Sequence, residues 1–146
     1  MKRIVFLSFI VILLSCQITL ADVVTLWDGS VFEGSFVGET EDGKTFSVDG
    51  GTVFMYFVDL VAVEKRPPTE AERAKLVRFK TERYDLTNES DDFSPFEEEV
   101  ITELYATSAE NQDMSDHDLA RLVGGKFNVP PIIVELIMEK EFWLWF

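Results

Sequence analysis

The single histidine of the chain, His117, sits among acids: Asp113, Asp116 and Asp118 lie within four residues of it. Imidazole and carboxylate groups are the donors that hold many divalent metals. The spacing does not make a calcium loop, which needs a central glycine and a terminal glutamate. Asp116 and Asp118 instead follow Ser115, where acids favour the start of a helix. His117 is therefore read as structural, and neither a metal nor a cofactor is expected. Cys16 is the only cysteine, which excludes an intrachain disulfide and any cysteine-cluster zinc site. No G-x-S-x-G, H-E-x-x-H or phosphate-loop pattern occurs. A carboxylate pair of the glycosidase kind needs two acids held together, and no spacing singles out two of the 27. No catalytic residue is expected.

Those side chains must be positioned by a short chain. It has 146 residues, 13 basic and 27 acidic side chains, and 47% apolar residues. The length allows one domain or two very small ones. The apolar content excludes wholesale disorder. The net charge of -14 opposes general electrostatic binding to nucleic acid, whose phosphates would be repelled.

Residues 1–21 read as an export signal. Met1-Lys2-Arg3 is a positive start, Ile4 to Leu14 an apolar core, and Thr19-Leu20-Ala21 places small residues at a cleavage site before Asp22. The apolar run is shorter than a membrane-spanning helix requires. Leu13-Leu14-Ser15-Cys16 also resembles a bacterial lipobox, which would make Cys16 a lipidation site. The mature protein is expected outside the cytoplasm, periplasmic or secreted, or anchored through that lipid.

Residues 22–66 read as a small β-barrel. Val23 to Trp27 is β-branched and aromatic and ends at the turn Asp28-Gly29. Val31 to Val37 follows, then Lys44 to Val48 after Glu41-Asp42-Gly43, then Thr52 to Phe57 after Asp49-Gly50-Gly51, and finally Val61 to Glu64. Gly34 inside the second strand signals a bend. Five short strands joined by tight turns suit a sheet closed on itself. The marks Asp28-Gly29, Gly34, Asp42-Gly43, Asp49-Gly50-Gly51 and Leu60-Val61-Ala62-Val63 resemble those of SH3-like and Sm-like small barrels. Sm-like proteins commonly bind RNA, a role not carried over, because Lys44 is the only base between Asp22 and Glu64.

Val53 to Phe57 is continuously apolar, so that strand should be covered on both faces. The C-terminal helices are expected to cover it. The alternative is an interface through Phe54 and Tyr56, joined by the C-terminal cluster Phe142, Trp143, Trp145 and Phe146.

Residues 67–93 read as a helix and an acidic linker. Thr69-Glu70-Ala71-Glu72 is a capping box after Pro67-Pro68, and a helix is predicted to about Tyr84. Lys65, Arg66, Arg73, Lys75, Arg78, Lys80 and Arg83 make this the basic segment. It is expected to dock on acidic parts of the same chain, or alternatively on an anionic membrane surface.

Residues 94–146 read as a three-helix unit. Ser94-Pro95-Phe96-Glu97 starts the first helix, with Phe96, Val100, Ile101, Leu104 and Tyr105 as its apolar stripe. The second helix opens at Ser115, buries Leu119, Leu122 and Val123, and is expected to end at Gly124-Gly125. Pro130-Pro131 opens the third. The stretch from Asp118 to Lys140 resembles a helix-turn-helix pair through Leu119, Ala120, Gly124 and Val134. A DNA reader would carry basic and amide residues on its recognition helix, and this one carries Glu135, Glu139 and Glu141 with a single base, Lys140.

The expectation is an α+β chain: a five-stranded small β-barrel, a basic connector helix and a C-terminal three-helix unit. Its expected role is that of an exported, non-enzymatic interaction module, with a protein partner or a second copy bound through apolar surfaces. A small hydrolase using acidic residues and membrane binding through residues 65–83 are the alternatives.

Overall fold

The structure, a computed structural model, describes residues 21–87 and 92–144, with side chains through Phe142. Residues 1–20, which hold the predicted export signal and Cys16, the Trp143 side chain, Trp145 and Phe146 lie outside the described residues.

The chain is mixed α+β: five antiparallel strands, then helices. The strands are β1 (Asp22–Leu26), β2 (Val31–Glu39), β3 (Gly43–Val48), β4 (Gly51–Tyr56) and β5 (Leu60–Lys65). Their order across the sheet is β4-β3-β2-β1-β5, so β4 and β5 stand at the two edges. The long β2 joins two halves. Val31 to Gly34 pair with β1, and Ser35 to Glu39 pair with β3. The register shifts between Phe36 and Gly38, where the strand bends. β3 turns into β4 through Asp49 (φ 44°) and Gly50 (φ 84°). Two consecutive left-handed residues match the twist of the hairpin they join. The strands fall where the β-branched and aromatic runs between turn signals predict them, and β4, though continuously apolar, buries Val53 and Met55 while Phe54 and Tyr56 are half-buried.

The predicted connector helix is corrected. Only one turn forms, α1 (Glu70–Arg73), closed by the Thr69–Glu72 capping box. Arg66 holds Glu72 through two hydrogen bonds of 2.7 Å. Beyond Arg73 the chain is extended: the Val31 amide donates to the Lys75 carbonyl, and the Val77 amide donates to the Val31 carbonyl. The cause is visible in the residue alternation. Val77 and Phe79 are buried while Arg78 and Lys80 are exposed, a period of two that a helix cannot satisfy. The Phe79 ring meets Phe32 edge-on at 5.0 Å, and Phe32 meets Phe46 at 5.4 Å. Burying such a ring contributes roughly 2–3 kcal/mol, enough to hold the extended path. Of the bases expected to dock on acidic parts of the chain, Arg66 pairs with Glu64 of β5 and with Glu72, and Lys80 pairs with Asp85.

Three helices complete the chain. In α2 (Pro95–Glu110), Ser94 and Glu97 form the predicted capping box, and Phe96, Val100 and Leu104 are buried. Tyr105 is exposed and donates to Glu141 at 2.7 Å. In α3 (Asp116–Phe127), the helix runs through Gly124-Gly125 instead of ending there. Its end is Asn128, in left-handed conformation at φ 53°, with its amide on the Gly124 carbonyl. A Cβ on Gly124 would lie 2.8 Å from the Val129 carbonyl oxygen, so the glycine serves close packing of the following turn. Leu122, predicted to be buried, is 43% exposed. In α4 (Pro131–Leu144), Ile132, Ile133, Val134 and Ile137 are buried. One apolar cluster runs from Val24, Phe32 and Phe46 of the sheet to Val100, Val123 and Ile137 of the helices. No described helix is long and apolar enough to cross a membrane.

Candidate functional site

The turn after β1 and the link between β4 and β5 meet the N-terminal half of α4. Between β4 and β5 the chain makes a single 3-10 turn, Phe57–Asp59. The Trp27 amide donates to the Asp59 carbonyl at 3.0 Å, which fixes the end of β1 against this turn. The Asp28 carboxylate accepts from the Ser30 amide and from the Ile132 amide at the start of α4. The Asp28 carboxylate thereby joins the turn after β1 to the backbone at the start of α4.

Three side chains converge at that junction. Asp59 comes from the 3-10 turn, His117 from the first turn of α3, and Glu135 from α4. The His117 Nε2 atom lies 3.3 Å from Asp59 Oδ1 and 3.3 Å from Glu135 Oε1. Trp27 orients two of the three. Its indole N–H donates to Glu135 Oε2 at 2.8 Å, and its ring stacks on the imidazole at 3.9 Å. Arg121 lies 4.7 Å from the Trp27 ring, a cation over an aromatic surface.

The electrostatics of the cluster are unbalanced. Asp59 and Glu135 are both buried, and Glu139 lies one helical turn beyond Glu135. Burial pushes the Glu135 carboxyl up to about 7, against the Trp27 hydrogen bond and with the help of Asp59. Burial pushes Glu139 up to about 8, and Asp59 and Glu135 push in the same direction. Asp59 is raised too, by burial first, with His117 opposing. Glu97 offers the contrast. It is equally buried, but Lys140 Nζ stands 3.2 Å from it and the Ser94 amide donates to it. Lys and Arg are absent from the lining of the Asp59–Glu135 cleft among the described residues.

The cleft has a volume of about 460 Å³. Asp59, Asp116, His117, Glu135 and Glu139 form its polar part, and Tyr56, Val58, Met138 and Phe142 its apolar part. A second, mainly apolar groove of about 340 Å³ adjoins it through Met138 and Phe142.

Sequence spacing grouped His117 with Asp113, Asp116 and Asp118. Of these only Asp116 lines the cleft. Asp118 serves the helix start, accepting from the Ser115 hydroxyl at 2.8 Å and pairing with Arg121. The true partners of His117, Asp59 and Glu135, are 58 and 18 positions away in sequence, and spacing carries no sign of them. A signal did exist in their surroundings. Asp59 stands between Val58 and Leu60, and Glu135 stands within Ile132 to Ile137; acids embedded in apolar runs are rarely there for solubility. Among the predicted interface residues, Phe54 meets Tyr56 edge-on at 5.0 Å, Tyr56 lines the cleft, and Phe142 is 58% exposed at its rim.

Comparison with known protein families, with characterised proteins and with solved structures finds no match to this chain.

Proposed function

We propose that this chain is an exported, non-enzymatic binding module of the cell envelope whose cleft at the sheet–helix junction receives a positively charged ligand. The observation that carries this is the surplus of acid in one cleft: Asp59 and Glu135, both buried, and the half-buried Glu139 share it with a single imidazole and no lining Lys or Arg among the described residues. An uncompensated buried carboxylate is costly, and a bound cation removes that cost. The apolar rim gives the ligand or its carrier a surface to rest on. Val58 is 71% exposed there, and Phe57, Val61 and Val63 continue the exposed apolar surface along the chain.

The architecture we assign to the β part is SH3-like. The strand order, the bent β2 shared by two halves and the 3-10 turn between β4 and β5 support it. The helical part we read as a helix-turn-helix-type packing unit, with Leu119, Ala120, Gly124 and Val134 at its buried seam.

The test is a fluorescence titration of the Trp143→Phe/Trp145→Phe protein, in which Trp27 is the reporter. The probes are Zn²⁺, and a synthetic peptide in which lysines alternate with leucines. A saturable response to either, abolished by Glu135→Gln, supports a cation-receiving cleft. A flat response to both overturns it.

Hydrolysis is the competing function, and the raised carboxyls of Glu135 and Glu139 favour it, because a general acid must hold its proton near neutral pH. Against it, the His117 ring already stands between Asp59 and Glu135, in the gap that a glycosidase keeps for sugar and water. Turnover of chromogenic ester or glycoside substrates that Glu135→Gln abolishes would replace binding as the function.

A further inference from the structure

We propose that Asp59, His117 and Glu135 form a binding site for a divalent transition-metal ion of the zinc type. This rests on the cation-receiving cleft and names the cation at its floor.

The donor set comes first. One imidazole nitrogen and two carboxylate oxygens make a mixed N/O set, which suits zinc and its first-row neighbours better than calcium or magnesium, both of which prefer oxygen alone. The three donor atoms lie within 4.8 Å of one another. His117 Nε2 is 3.3 Å from each carboxylate oxygen. Two donors on a tetrahedral ion with bonds of about 2.1 Å stand about 3.4 Å apart, so these separations are those of a shared ion.

The second observation is independent of the cluster's composition. Glu135 is 6% exposed, and its Oε1 atom has no hydrogen-bond partner among the described residues. The His117 Nε2 atom meets hydrogen-bond geometry with Asp59 Oδ1, whereas its approach to Glu135 Oε1 at 3.3 Å is an ion-pair distance without that geometry. A buried, unpartnered carboxylate oxygen is an unmet demand for a donor or a cation. Its sister oxygen, Oε2, is already held by the Trp27 indole, so Oε1 is turned toward the histidine and the cleft. That arrangement is the one metal sites use, with an outer group orienting a ligand that then faces the ion. Trp27 does this for Glu135 by a hydrogen bond and for His117 by stacking.

Three protein ligands leave at least one coordination position open. The open side faces the cleft, where Asp116 and Glu139 line the wall. A site closed by four protein ligands would be structural, whereas one open to a cleft exchanges its outer ligand. The ion would take its last ligand from water or from the bound partner.

The experiment is calorimetric titration of the chelator-treated full chain with Zn²⁺, beside Mg²⁺ and Ca²⁺. The expected result is one Zn²⁺ per chain, bound at least 100-fold more tightly than Mg²⁺ or Ca²⁺. His117→Gln, which keeps a polar planar group against Trp27, should weaken Zn²⁺ at least ten-fold, and Asp59→Asn should do the same. Substitution with Co²⁺ gives a readout on the unaltered chain: an intensified visible spectrum marks an N/O site of low coordination number. Weak binding of several ions, equal for all three metals and unchanged by His117→Gln, would overturn the site. If Zn²⁺ fails while the lysine–leucine peptide still quenches Trp27, the metal assignment falls and the cation-receiving cleft stands.

Discussion

The Trp27 indole lies flat on the His117 imidazole, with ring centroids 3.9 Å apart and planes 7° from parallel. One residue ends a strand and the other begins a helix, 90 positions later. The same indole donates to Glu135, so one side chain ties the sheet to α3 by stacking and to α4 by a hydrogen bond.

Trp27→Phe separates these two roles. Phenylalanine retains an aromatic face for His117 and loses the donor to Glu135. Glu135 Oε2 then joins Oε1 without a partner in a buried place. Denaturant unfolding should show a loss of about 1–3 kcal/mol, the cost of an orphaned buried acceptor. An unchanged midpoint would mean that the hydrogen bond does not hold the junction.

Glu139 makes the stability of the metal-free protein depend on pH. Its folded carboxyl is raised from the ordinary 4.5 to about 8, so the folded state binds this proton more tightly than the unfolded chain does. The contribution is complete below about pH 4.5 and is lost as pH rises through about 8. Chelator-treated protein should therefore melt at least about 5 °C lower at pH 8.5 than at pH 5. Glu139→Gln, which cannot ionise, should flatten that slope. An identical slope in the variant would contradict the assignment.

The neighbouring glycines of α3 should respond in opposite directions. Gly124→Ala puts a Cβ 2.8 Å from the Val129 carbonyl oxygen, a backbone atom with little room to move, and should cost about 1–3 kcal/mol. Gly125→Ala meets nothing within 4 Å inside a helix and should gain up to about 1 kcal/mol. Equal effects at the two sites would contradict the close approach of the turn after α3.

Lys140 is the cation that makes burial of Glu97 tolerable, with Nζ 3.2 Å from the carboxylate. Lys140→Met keeps the stem and removes the charge. Thermal unfolding should show a loss of about 3 kcal/mol, within the range for a buried pair broken from one side. A melting curve like that of the unaltered chain would remove Lys140 from this role.

Much of the fold is legible in the residues. Strand positions follow from β-branched runs punctuated by Asp-Gly turns, and the starts of α2 and α3 follow from Ser94 and Ser115. The failures have physical causes. After a good capping box the basic segment looks helical, yet Val77 and Phe79 alternate with Arg78 and Lys80, and two buried side chains outweigh a helix held by charge pairs. Gly124-Gly125 looks like a helix stop, but one of the pair is needed inside the helix for contact with the following turn. The candidate site was the least legible part. His117 stood out because it is the only histidine, and sequence neighbours seemed its natural partners. Asp113 stays exposed in the turn before α3, Asp118 serves the helix cap and Asp116 reaches only the cleft wall, while tertiary packing delivers Asp59 and Glu135.

The single histidine also makes the central claim directly measurable. In protein whose histidine carries ¹⁵N in the ring alone, only the two ring nitrogens of His117 are observed. Addition of one equivalent of Zn²⁺ should move the Nε2 resonance to a metal-bound position and leave Nδ1 protonated, with no further change on a second equivalent. Two ring resonances unmoved by equimolar Zn²⁺ would contradict a metal held between Asp59, His117 and Glu135.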